Sequence, residues 1–308
     1  MFALLIRRVL GLVPILLGIS FISFILVSLS PSDPDEVAIR VNAMVPTPEL
    51  IAQTRHELGL DEQFFIRYFH WLGHALQGDF GRSYVNGHRV IDDMLQAFPA
   101  TIYLALVTLA IIVIISVTLG MLCARFEGGF LDKIIRGFVF ICSAFPNFWA
   151  GLLLMWLFAV ELNLLPTSGM RSPESIVLPA ITLSLAYVGT YLRLIRAEMI
   201  RTQHENWVTF ARARGLSEFQ IQKHILWNSL RGTITALGMS IPKLIAGAFV
   251  VESIFAWPGI GRLCVTAIFN RDFPIIQAYI LMMAVLFVTF NLLADLCIAW
   301  MDPRERNH

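Results

Sequence analysis

Charge is scarce in this sequence. Of its 308 residues, 15% are Asp, Glu, Lys or Arg and 57% are hydrophobic, whereas a soluble domain carries about 25% charged and roughly 45–50% apolar residues. That scarcity excludes an ordinary water-soluble globule and implies an integral membrane protein. The formal net charge is +1, so no basic face dominates and nucleic acid is excluded as an expected partner. Cysteine is sparse too. Cys123, Cys142, Cys264 and Cys297 lie far apart, with no Cys-x-x-Cys pair to suggest a metal or redox site. No G-x-x-x-x-G-K-[ST] loop occurs, so the chain does not cradle ATP by that mechanism. H-E-x-x-H, G-x-S-x-G and a close pair of carboxylates within the apolar runs are all missing. An intramembrane enzyme therefore lacks a catalytic set.

Long apolar runs are what the chain has instead. The first covers residues 9–29, longer than the roughly 7–15 residues of a cleavable signal core, and reads as a retained transmembrane helix. Five more follow at 98–124, 137–160, 176–192, 233–254 and 274–300. Each is near the ~20 residues that cross a hydrocarbon core, and backbone satisfaction in lipid makes them helices. The expected fold is thus all-α and polytopic, with six transmembrane helices. Lys and Arg decide orientation. The N-terminal tail, 125–136, 193–231 and the C-terminal tail together hold 14 of them, against three (Arg171, Arg262, Arg271) on the short opposite loops. Both termini are expected in the cytoplasm. The expected segments are 1–30, a first helix; 31–97, an extracytoplasmic loop subdomain; 98–300, a five-helix core containing a cytoplasmic loop at 197–231; and 301–308, a tail.

The external loop has signals of its own. Thr47 can cap, and Pro48 can open, a helix over ELIAQTRHELGL. FFIRYFHWLGHALQGDFG reads as an amphipathic helix ending at Gly78. Four of seven histidines fall in this loop. His70 and His74 stand i, i+4, a spacing that suits two metal ligands on one helix face and equally suits two exposed, solvated histidines.

The stretch TFARARGLSEFQIQKH, residues 209–224, looks soluble rather than lipidic. Trp207, Phe210, Ala211 and Arg214 fall at helical spacing. Gly215 suits the left-handed residue that ends a helix, and Ser217 with Gln220 forms a capping box that starts the next. The product is helix–turn–helix. It reads as a surface connector or as a docking element for a cytoplasmic protein.

Its residues Ala211, Arg212, Ala213, Gly215, Leu216, Ser217, Glu218, His224 and Asn228 resemble the coupling loop of ABC-importer permeases. The resemblance runs through the whole chain. Arg7-Arg8 with Ser30-Pro31-Ser32-Asp33-Pro34, then LGLDEQFFIRYFHWLGHALQGDFGRSY, FPNFW, VESIFAWPGIGRL, RDFPIIQAY and NLLADL are similar to the B-type permease subunit of dipeptide, oligopeptide and nickel importers. PTPELIAQT, LNLLPTSG with SPES, and AIFNRDFP resemble permeases for nickel or for metal held by a small opine-like chelator. The resemblance implies a type I importer fold in the bacterial cytoplasmic (inner) membrane. It also implies a second, homologous permease as heterodimer partner, two ATPase subunits that use ATP and Mg, and an extracytoplasmic solute-binding protein. No cofactor is expected on this chain. A dipeptide or oligopeptide permease is the alternative within the family, and a gradient-driven carrier the alternative outside it. Two features depart from the family pattern: Asn228 lacks the usual following proline, and Trp227 stands where a basic residue is common.

Besides Glu252 near the end of 233–254, two charged groups lie within apolar runs, Lys243 and Asp295. A charge at membrane depth costs at least ~2.5 kcal/mol, so they are read as a structural ion pair, as a lysine snorkelling to the interface, or as lining of a translocation path. In VESIFAWPGIGR, Trp257 with Pro258-Gly259 reads as an interfacial anchor and helix stop, and Pro146 as a kink in the third span. If His70 and His74 contact metal, the pair His70→Ala/His74→Ala lowers uptake of labelled nickel; unchanged uptake removes that role.

Overall fold

A computed structural model describes residues 2–29, 47–57, 61–238 and 240–301. The Ser30–Pro34 motif and the tail beyond residue 301 lie outside the described residues, as do the side chains of Arg7, Arg8 and Asp295. Every regular element among the described residues is helical.

The described residues divide into two compact units, one holding those up to Thr101 together with Pro258–Leu292, the other Ile102–Trp257 with 293–301. Packing, not sequence order, sets this division, so it cuts across the expected five-helix core.

In the first unit, α1 (Phe2–Ser28) is followed by the external helices α2 (Pro48–Glu57) and α3 (Phe64–Leu76). The Leu50 N–H donates to Thr47 Oγ1 at 3.3 Å, so α2 has its expected cap. Helix α3 ends before Gly78, whose φ is +79°. Its inner face is aromatic because it covers α1: Phe21 packs on Tyr68 at 5.1 Å and Phe24 on Phe64 at 5.4 Å between ring centroids. Ser20 and Tyr68 share a hydrogen bond of 2.8 Å, which satisfies both hydroxyls where lipid offers no partner. The start of α4 (Val90–Arg125), with α11 (Ile260–Asn270) and α12 (Phe273–Met301), forms a second apolar cluster around Val90, Met94, Ala267, Ile275 and Ala278. Arg271, at φ +58°, turns α11 into α12. The buried Asp272 beside it accepts the Ser83 hydroxyl and the Tyr84 N–H.

The second unit is built on α7 (Val177–Gln203), entered through a 3-10 turn at Pro173–Ile176. Of its most apolar stretch 67% is buried, against 17% for α1 and 28% for α4 and α12, so α7 is the helix the others pack around. Gly120 of α4 lets the two come together: a Cβ there would meet Ile195 Cγ2 at 2.9 Å.

Two of the expected spans are not single helices. The run 137–160 becomes α5 (Phe130–Ala144) and α6 (Asn147–Met155), the latter extended by a π turn at Trp156–Glu161, with a 99° bend between the two arms. Pro146 has no N–H to give, and Phe145 before it is extended, with φ −79° and ψ 138°, as residues preceding proline are. The kink foreseen at Pro146 is thus a right-angled elbow. The run 233–254 is likewise split between the end of α9 (Glu218–Gly238) and α10 (Ile241–Ile254), with Pro242 in the first turn of the latter. Hydroxyls of α7 reach both sides of the break: Tyr191 donates to the Ala236 carbonyl of α9 at 3.1 Å and Tyr187 to the Lys243 carbonyl of α10 at 3.1 Å. Among the described residues, four helices, or five crossings if the bent pair counts as one, are long and apolar enough to span a membrane.

Substituting Gly120→Val should overpack the α4–α7 contact and lower stability by about 1–3 kcal/mol. Gly137→Ala, where a Cβ meets nothing within 4 Å, should raise it slightly. Thermal unfolding of the detergent-purified protein followed by tryptophan fluorescence checks both.

Candidate functional site

After α7 ends, the chain turns at His204 and enters α8 (Asn206–Ala213). Trp207 is pinned by its indole N–H, which donates to Glu205 Oε2 at 2.8 Å. Helix α8 stops in a Schellman turn. Gly215, at φ +79°, donates its N–H to the Arg212 carbonyl at 2.9 Å, and Leu216 donates to the Ala211 carbonyl at 3.2 Å. Ser217 then opens α9. Its N–H donates to Gln220 Oε1 at 3.1 Å and the Gln220 N–H donates to Ser217 Oγ at 3.4 Å, the reciprocal box read from the sequence. Arg212 and Glu218 pair across the turn at 3.0 Å, both exposed, a contact worth at most about 1 kcal/mol in water.

The underside of α8 is held by burial. Val208 joins Ala124 of α4, Ile195 and Met199 of α7, and Ile221 and Ile225 of α9 in one core. Each of the valine, isoleucine and methionine side chains contributes about 1.5–3 kcal/mol when fully buried. Helix α8 is therefore fixed to the end of α7 rather than hung from it. Its other side is open. Trp207, Phe210, Ala211, Arg214, Leu216, His224 and Asn228 line a cleft of about 540 Å³, and Phe210 is 69% exposed. The cleft pairs an apolar floor with an arginine, a histidine and an asparagine at its wall. This chemistry suits seating of a protein surface rather than bond-making. Four of the sequence-selected residues, Ala211, Leu216, His224 and Asn228, meet in this cleft. Arg212, Ala213, Gly215, Ser217 and Glu218 form the exposed turn at its edge. A Cβ at Gly215 meets nothing within 4 Å, so its freedom is needed for the backbone turn alone.

The remaining selected residues lie elsewhere. Lys243 is exposed in the first turn of α10, and the backbone of Asp295 lies in α12. His70 and His74 are both exposed and face different carboxylates, Glu62 at 3.1 Å and Asp79 at 3.6 Å. No group of three His, Cys, Asp or Glu side chains with metal-binding proximity exists among the described residues. Trp257 is not an interfacial anchor. It is 1% exposed and stacks near Tyr103, at 6.3 Å, because Ala256 at φ +47° turns the chain back and the Trp257 N–H donates to the Glu252 carbonyl at 2.8 Å. Sequence reasoning missed a buried carboxylate, Asp132, although its i, i+4 spacing to Arg136 was visible.

Residues 116–307 match the family of binding-protein-dependent transport system inner membrane components, and residues 1–105 match the N-terminal region of such components. The chain is 38% identical over 307 residues to a metal-staphylopine import system permease of Staphylococcus aureus, covering 99% of each chain. It is 36% identical over 320 residues to an oligopeptide transport system permease of Bacillus subtilis, again covering 99% of each. A glutathione transport system permease of Escherichia coli is 34% identical over 302 residues, 98% of each. Among solved structures, an amino acid ABC transporter crystallised with histidines superposes with a TM-score of 0.51 at 16% identity, covering 67% of this chain and 92% of that one. That likeness bears on the fold.

Loss of the reciprocal cap should loosen α9 locally. Ser217→Ala is expected to cost about 0.5–2 kcal/mol and to speed amide exchange over the first turn of α9, with Ser217→Asp restoring the protection.

Proposed function

The chain belongs to the family of binding-protein-dependent transport system inner membrane components, and from that membership we propose that it is the permease half of an ATP-driven importer for a transition metal, nickel or a close relative, free or held by a small chelator. As a multi-pass ABC-importer permease it makes and breaks no bond. The cargo reading is supported by the 38% identity, over 99% of both chains, to a permease named for metal-staphylopine import. The oligopeptide and glutathione permeases at 36% and 34% support a second reading, in which a short peptide passes.

In this proposal the cleft at residues 207–228 seats on an ATPase subunit, and the outward, unobstructed Gly215 turn allows the close approach. ATP and Mg act on two such subunits. A second, homologous permease completes the pathway, and an extracytoplasmic solute-binding protein delivers cargo. Closure of the ATPases moves α8; the core around Val208 passes that movement to α7, and the pathway alternates between outward and inward access. The six crossings are α1, α4, the bent α5–α6 pair, α7, α10 and α12, with both termini in the cytoplasm. Splitting the third and fifth crossings accords with irregular backbone lining a cavity instead of facing lipid. In this proposal Lys243, at the start of the fifth, belongs to the translocation path.

The test is uptake in a transport-deficient bacterial strain carrying this chain with its companion subunits. Labelled nickel is offered alone, with histidine as chelator, and in competition with dialanine. Nickel should accumulate. Gly215→Trp should reduce uptake by about tenfold or more, equivalent to roughly 1.4 kcal/mol, because the indole projects from the turn into the docking face. Entry of dialanine alone removes the metal reading. Uptake indifferent to Gly215→Trp removes the docking role.

A further inference from the structure

Asp132, in the first turn of α5, is fully buried. Arg196 of α7 meets it as a fork, Nε donating to Oδ1 and Nη2 to Oδ2, each at 2.9 Å. Arg136, one turn along α5, adds a bond from Nε to Oδ1 at 3.1 Å, and the Gly128 N–H donates to Oδ2 at 3.1 Å. Planar bidentate pairing fixes geometry as well as charge. The pair differs in kind from Arg212–Glu218, whose side chains are 51% and 64% exposed.

Its place in the fold gives it a task. Arg196 lies two turns before α7 ends at Gln203, and α8 begins at Asn206. Its neighbours Ile195 and Met199 are in the core that clamps α8. Asp132 begins the arm that leads to the elbow at Pro146. A second attachment lies further along the same two helices. At Gly189 the backbones come so close that a Cβ would stand 2.5 Å from Ser143 Oγ and 3.1 Å from Val139 Cγ1. Two attachments, one polar and one steric, prevent both sliding and rotation of α5 on α7.

We infer that the Asp132–Arg196 fork joins α5 and α7 into one lever, which delivers the displacement of α8 to the bent span instead of letting it dissipate as slippage between helices. Both are positioning residues. The inference rests on the docking reading of the loop at 207–228.

The experiment uses the assembled transporter, with its ATPases, in nanodiscs for hydrolysis and in cells for uptake. The probe is labelled nickel with histidine, or labelled dialanine where that is what the unaltered transporter carries. Asp132→Asn should keep the ATPases bound and at least about half of the ATP hydrolysis, while uptake falls about tenfold, a factor that Asp132→Glu partly restores. A second arm uses the pair Ser143→Cys/Gly189→Cys, in which a sulfur bridge takes the place of the hydroxyl that a Cβ at 189 would meet. Its oxidation should leave uptake within about twofold of the reduced form, since a lever has no internal motion to lose. Hydrolysis and uptake both unchanged in Asp132→Asn, or both falling in proportion, overturn the inference. Oxidation that stops uptake overturns it as well. Where Asp132→Asn fails to accumulate, the oxidation arm decides alone. Failure of the docking reading is seen separately, as Gly215→Trp protein that retains its ATPases and transports normally.

Discussion

Hydrocarbon offers no partner to a backbone N–H or C=O, and the arrangement of this chain follows from that single restriction. Where helices run unbroken, as in α4 and α12, the ladder satisfies itself. Where they break, something else has to serve. Tyr191 reaches from α7 to the Ala236 carbonyl in the last turn of α9, and Tyr187 to the Lys243 carbonyl in the first turn of α10. At the α10 end, the Gly169 N–H donates to the Phe255 carbonyl at 2.8 Å. At Pro146 the missing donor is the proline itself, and its carbonyl accepts the Trp149 and Ala150 N–H groups that begin α6. The breaks at Pro146 and between α9 and α10 lie against α7, the most buried of the long helices, while the Ile260 N–H that begins α11 donates to Thr101 of α4 at 2.9 Å.

The same helix carries the mechanical argument. Its far end is welded to α8 by buried aliphatic side chains, a non-directional contact that resists separation. Its flank is joined to α5 by a charged fork, a directional contact that resists rotation. A force applied to the exposed turn at Gly215 thus meets stiff elements in succession, and compliance is left to the places where the backbone is already interrupted.

Much of this was legible in the sequence. The turn between α8 and α9 was readable because its punctuation is local: Gly215 and the Ser217–Gln220 box act within a few residues, and the structure places them as read, though α9 runs on to Gly238 into what was read as a separate span. The caps of α2 and α3 were local too. The split of 233–254 was passed over because the run is apolar throughout, although Pro242, which has no N–H to bond the carbonyl four residues back, marks where α9 cannot continue. Trp257 misled for a related reason. Composition places tryptophan at an interface, but a left-handed Ala256 turns it inward. Asp132 escaped notice because its partner, Arg196, is 64 residues away, beyond any periodicity. The cleft could be named only in part, since its walls come from two helices joined by the turn.

The elbow at Pro146 has a geometric consequence. Its two arms, Phe130–Ala144 and Asn147–Glu161, are each about 22 Å long at ~1.5 Å per residue, so neither alone crosses a hydrocarbon core of ~30 Å. With 99° between them, the pair reaches that thickness only if each arm leans about 50° from the bilayer normal. Lipid beside it meets a slope rather than a wall. If the pair crosses as one span, its height depends on the angle at the elbow, so hydrophobic mismatch would act on that angle directly.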